Sequence, residues 1–108
     1  MDVFDAMKEE FLLHGWRKNN SGTNNGPKCL MGCLSYVQFG CMNGSYSSIS
    51  YEMNLLAKAI RSRYITIGHR LEDLDAIVIF NDDEANDIND IFALLDKARE
   101  IEQNEYAN

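Results

Sequence analysis

The sequence predicts a mostly α domain: a compact bundle of about four helices around a buried central helix at residues 27–39. Three observations lead there. Residues 27–39 are apolar nearly all round, the mark of a helix that no face exposes to water. The segments 2–14, 48–63 and 87–101 each carry an apolar stripe at helical spacing. The chain has 108 residues, 45% of them apolar, and only one Pro, so it folds as a single domain over 1–108 with one core.

Asp2 caps the first helix, in which Val3, Phe4, Met7 and Phe11 share a face while Lys8, Glu9 and Glu10 fall mostly elsewhere. Gly15 suits the turn that stops it, with Trp16 packing back on Phe11. Residues 17–26, rich in Asn and Gly, predict a mobile loop with nothing apolar to anchor it. Pro27 suits the first position of the central helix, where its missing N–H costs nothing, and Gly40 ends that helix. Ser47 or Ser48 caps a third helix that runs to about Arg63, with Ile49, Met53, Leu56, Ile60 and Tyr64 inward.

Residues 64–80 support two readings. Tyr64–Ile67 and Ala76–Phe80 are β-branched runs, which favour a short two-stranded β element, whereas Leu71, Leu74, Ile77 and Val78 fit a helical turn. Asn86 or Asp87 caps the last helix. Ile88, Ile91, Leu95, Ala98 and Ile101 form its inner face, and the tail 104–108 is expected to fray.

The net charge of -7 repels nucleic acid and anionic membrane, so neither is expected as a partner. The acids concentrate at 82–105, the bases at 58–70. No basic segment followed by an apolar run opens the chain, and no stretch is long enough to span a bilayer, so the expected location is the cytoplasm, with the three cysteines reduced. A core this modest leaves self-association into a homo-oligomer open.

Cys29, near a helix start where the dipole favours an anionic sulfur, precedes His69 and Asp82 in the chain order of papain-like nucleophilic sites. Any chain with many acids shows such an order, so a buried, inert thiol is the preferred reading. Cys29 and Cys33 share a helix face without a Cys-x2-Cys knuckle, and the acids at 82–90 place Asp87 and Ala93 where a calcium loop needs Gly and Glu. No metal or cofactor is expected. The Gly22–Lys28 segment fails the phosphate-loop spacing, yet free N–H groups at the start of helix 27–39, together with Lys28, could hold an anion. Lys58, Arg61, Arg63 and Arg70 could add charge. His14 is a cation near a helix end.

The order His14-Gly15-Trp16, a Gly-rich loop, Cys29-Leu30-Met31-Gly32-Cys33-Leu34, Phe80-Asn81-Asp82 and a closing helix near Lys97-Ala98-Arg99 resembles an uncharacterised domain-of-unknown-function family of small bacterial and phage proteins. Its members show a Gly-Trp, a Cys-Leu-x-Gly-Ala-Leu helix and a Trp/Phe-Asn-Asp. The resemblance spans about residues 3–101, with Cys33 standing where the family has Ala, which leaves Cys29 as the matching thiol. It implies a small, mostly helical fold and a bacterial or phage origin, and no activity.

The expected function is a small non-enzymatic binding protein, encoded by a phage or mobile element. It would act on a host protein, or sequester a small anionic, nucleotide-like ligand, through Trp16, Lys28, Cys29, Asn81 and Asp82. One alternative is a Cys-dependent hydrolase or transferase using Cys29, His69 and Asp82. Another is an accessory oligomer without a ligand.

Overall fold

The computed structural model describes residues 2–42, 44–63 and 71–107. These form five α-helices: α1 Val3–His14, α2 Leu30–Phe39, α3 Ser50–Arg63, α4 Asp73–Ile79 and α5 Ile88–Ala107. A 3₁₀ turn at Tyr46–Ile49 leads into α3, and a π-helical turn at Phe80–Glu84 prolongs α4. The mostly helical bundle is therefore as the apolar spacing predicts, with a Cα radius of gyration of 12.7 Å.

The caps follow the sequence at α1 and α5. Asp2 Oδ1 accepts the Phe4 N–H at 2.8 Å, and Gly15 stops α1 at φ +93°, its N–H reaching Phe11 O at 2.8 Å. Asp87 Oδ1 accepts the Asn89 N–H at 2.9 Å, and Asp90 Oδ2 reaches back to the Asn86 N–H at 2.8 Å. One donor left over by the first turn of α5, that of Asn89, is thereby satisfied, and the loop N–H of Asn86 is tied to the same turn. The helix runs on to Ala107, past the point where fraying is expected.

Two expectations are corrected, and one open alternative is resolved. First, the central helix begins at Leu30, not Pro27. The Lys28 N–H donates to Gly15 O at 3.1 Å, the Lys28 carbonyl accepts from the Arg17 N–H at 3.0 Å, and the Cys29 N–H donates to Ser21 O at 3.3 Å. Backbone groups committed to a neighbouring segment are unavailable to a helix. α2 is buried only over Leu30–Ser35, and Gln38 and Phe39 are exposed. Second, Ala76–Phe80 is helical rather than a strand. Ala76, Ile77 and Phe80 are buried while Val78 is exposed, a period of 3.6 that lets the segment meet its backbone hydrogen bonds locally. Among the described residues the strand-like pairing consists of isolated bridges from Lys28 to Trp16 and to Gly22. Tyr64–Ile67 lie outside the described residues. Third, α3 starts through the 3₁₀ turn, with Ser45 before it, rather than at Ser47 or Ser48.

α3 is the hub. It buries Met53, Leu55, Leu56, Ala57, Ala59 and Ile60, and it packs on both α4 and α5. On the other side of the molecule α1 packs on α2 and α5. Phe4, Met7 and Phe11 of α1, Leu30 and Leu34 of α2 and Ile91 and Leu95 of α5 belong to the same core.

Loop 17–26 is drawn across this core by hydrogen bonds rather than by apolar anchors. Gly32 is what admits it. A Cβ there would run into the carbonyl oxygen of Ser21, so α2 carries a glycine where the loop backbone lies directly on it. The close approach is thus loop on helix.

Candidate functional site

Four of the five residues singled out for ligand binding are gathered around one side chain. The π-helical turn, closed by the Ala85 N–H on Phe80 O at 2.9 Å, carries Asn81 into the interior, where it is 2% exposed. Asn81 Oδ1 accepts from Trp16 Nε1 at 2.7 Å and from the Leu30 N–H at 3.0 Å. Its Nδ2 donates to Arg17 O at 3.1 Å and to Asp82 Oδ1 at 2.8 Å. Both acceptor positions and both donors of the amide are filled. Asn81 is therefore a knot joining the end of α1, the start of α2 and the turn after α4. It has no hydrogen-bonding capacity left for a ligand.

Asp82 is the next link. Its Oδ1 also accepts the Asn19 N–H at 2.8 Å, which pins the loop to the turn. Beside this knot lies a pocket of about 490 Å³. One wall is the loop at Asn19–Ser21, another is Cys29 and Met31, and the floor is the outer face of α4, with Leu74, Val78 and two carboxylates, Asp75 and Asp82. Trp16 does not line the pocket; it stands behind it through Asn81. The apolar floor was hidden in the sequence because the segment 71–80 supported two readings there. Leu71, Leu74, Asp75 and Val78 do carry the i, i+3, i+4, i+7 signal of one helix face.

The three thiols differ in exposure. Cys29 is half-buried on the pocket wall, and its sulfur accepts the Gly32 N–H at 3.3 Å as the cap of α2. Cys33 is sealed, its Sγ donating to Met7 O at 3.6 Å. Burial, assisted by the nearby Glu10 carboxylate, pushes the Cys33 thiol far above its ordinary range, so it stays protonated. Cys41 is exposed. The expectation of hidden sulfur thus holds for Cys33 and fails for Cys29.

Lys28, the fifth candidate, is corrected outright. Its side chain is 0% exposed. Nζ donates to Glu10 Oε2 at 2.6 Å, Asn24 O at 2.9 Å and Gly26 O at 3.1 Å, and it lies 4.4 Å from the centre of the Tyr36 ring. An ammonium has three donors, and all three are taken. A buried charge is tolerable only when paired in this way, so Lys28 cannot turn to an anion in solvent. It fastens the loop to α1 instead. His14 Nδ1 hydrogen-bonds the same Glu10 oxygen at 2.6 Å. The sequence held one clue to this triad. Glu10 stands three residues after Met7 and four before His14, on the inner side of α1.

Two residues of the basic edge are paired. Lys58 pairs with Glu105 at 2.6 Å, and Arg61 binds Asp73 at 3.0 Å and Leu71 O at 2.7 Å. His69 and Arg70 lie outside the described residues, so the geometry of a Cys29–His69 pair does too.

Among the described residues, no group of three or more His, Cys, Asp or Glu side chains is placed to hold a metal ion. No helix of the described residues is long and apolar enough to cross a membrane. No protein-family model matches the chain, and neither the curated proteins nor the solved structures include a significant match to it.

Proposed function

We propose that this chain is a small non-enzymatic binding protein that acts on another protein through the pocket between loop 17–26, the start of α2 and the outer face of α4. The observation that carries this reading is a rigid frame around an apolar floor. Asn81, Asp82 and the Glu10–Lys28 pair use their polar groups to fix the walls, while Val78 and Tyr46 remain 42% and 40% exposed beside the cavity. Its volume falls within the range of roughly 300–1,000 Å³ common to ligand sites. A small anion is the less favoured occupant, because Lys28, the cation it would need, is buried and fully paired. The family resemblance supports a phage or mobile-element origin, with a host protein in the cytoplasm as the target.

The test is affinity capture from bacterial lysate with the native chain and with Val78→Arg, a change at an exposed floor position. A partner held by the native protein and lost from the variant supports the reading. A partner retained equally by both refutes the assignment of the pocket. A parallel thermal-shift screen against nucleotides is expected to show no stabilisation.

The half-exposed position of Cys29 on the same wall as Asp82 favours one second reading, a Cys-dependent hydrolase or transferase. Turnover of a thioester or activated ester that vanishes in Cys29→Ser supports it. Equal turnover by both chains ends it.

A further inference from the structure

The geometry points to the chemistry of the partner segment: an apolar side chain seated on the α4 floor with a Lys or Arg beside it. This inference rests on the pocket reading above. Asp75, Val78 and Asp82 occupy positions i, i+3 and i+7 on the strip of α4 and its π turn that lines the cavity. At 1.5 Å of rise per residue, the two carboxylates stand about 10 Å apart along the helix, one at either end of the apolar patch.

Among the described residues, no cationic side chain is paired with either carboxylate. Asp82 uses Oδ1 for Asn19 and Asn81, while its Oδ2 accepts no hydrogen bond from the described residues. Asp75 is exposed and accepts none from them either. The described lining contains no Lys, Arg or His. Lys28, at the end of the loop that forms one wall, is consumed inside the molecule.

The whole chain, at -7, adds a field of the same sign. A carboxylate or phosphate entering this cleft meets two like charges over a low-dielectric floor. A basic side chain gains from both, and the apolar floor takes the hydrophobic neighbour. Complementarity of charge and of apolar area therefore selects a basic-apolar segment of a protein over an acidic one.

The experiment uses the full chain, labelled with ¹⁵N, and three peptides that differ at one position: acetyl-Gly-Leu-Leu-Lys-Gly-amide and its Gln and Glu counterparts. Amide shifts are followed by NMR at low salt. The Lys peptide is expected to move the signals of Cys29, Val78 and Asp82 and to bind about fivefold more tightly than the Gln peptide, with the Glu peptide weakest. Asp75→Asn, once its spectrum shows a native fold, is expected to weaken the Lys peptide about threefold and leave the Gln peptide unchanged.

Equal binding by Lys and Gln peptides, or tighter binding by the Glu peptide, overturns the charge inference while leaving the pocket reading intact. Shifts confined to other surfaces, or no shifts with any peptide, overturn the pocket reading itself.

Discussion

Replacing Glu10 by Gln is expected to destabilise this protein by about 3 kcal/mol. The substitution conserves shape but removes the charge facing an ammonium that is 0% exposed. Taking away one partner of a buried ion pair costs about 3–5 kcal/mol, because the remaining charge stays desolvated. The low end applies here: the carbonyls of Asn24 and Gly26 and the Tyr36 ring 4.4 Å away still face Lys28. In a chain of 108 residues such a loss lowers the melting temperature by roughly 10–15 °C.

The converse change, Lys28→Met, is expected to cost less, about 2 kcal/mol. The Glu10 carboxylate keeps His14 at 2.6 Å, and the freed loop carbonyls can turn to water. The double variant is then expected to cost no more than Lys28→Met alone. The two single losses sum to about 5 kcal/mol, so the coupling is about 3 kcal/mol. Urea unfolding followed by far-UV circular dichroism gives all four corners of the cycle. Additive losses, or a Glu10→Gln cost under about 1 kcal/mol, would refute the reasoning that Lys28 depends on this counter-charge. The same variants should speed amide exchange in loop 17–26, because Lys28 is what ties that loop to α1.

Asn81→Ala orphans the Trp16 indole N–H and the buried Leu30 N–H, so a loss of about 2–3 kcal/mol and a changed Trp16 fluorescence spectrum are expected, with unfolding monitored at the single tryptophan. Gly32→Ala drives a methyl group into the Ser21 carbonyl and is expected to cost about 1–3 kcal/mol, with amide shifts concentrated in 17–26; a spectrum unchanged there would sink the close-approach explanation. Native-state iodoacetamide labelling should modify Cys41 and Cys29 and spare Cys33 until the protein is unfolded, as read by mass spectrometry. Because the folded Cys33 thiol titrates above its unfolded value, the native state binds the extra proton in alkali. Stability is therefore whole below about pH 8.5 and falls above it, by at most about 1.4 kcal/mol per pH unit for this one group. Cys33→Ala should flatten that alkaline slope in pH-dependent urea titrations.

Much of the fold follows from local rules. The stripes Phe4–Met7–Phe11, Met53–Leu56–Ile60 and Ile91–Leu95–Ala98 each lie within a few turns of one helix, and the caps of α1 and α5 sit within three residues of the groups they satisfy. Periodicity and capping are short-range properties, so a linear reading captures them. That is why the helical bundle, α1 with its Asp2 cap and α5 with a cap at Asn86 or Asp87 could be predicted from the residues alone.

The site was legible only in part. Trp16, Cys29, Asn81 and Asp82 do converge, but the partners that define their roles are remote. Asn81 bonds residues 65 and 51 positions away, and Lys28 meets a carboxylate 18 residues earlier in a helix whose inner face reads as apolar. Whether a polar side chain faces solvent or is buried and paired depends on what the fold places opposite it. Desolvation makes the unpaired alternative too costly to persist. The sequence alone determined the helices with a clear apolar stripe, α1, α3 and α5, and which of their faces are oily. Only tertiary packing decided that Lys28 closes inward, that the loop crosses Gly32, and that Asp75, Val78 and Asp82 line one cavity beside α4.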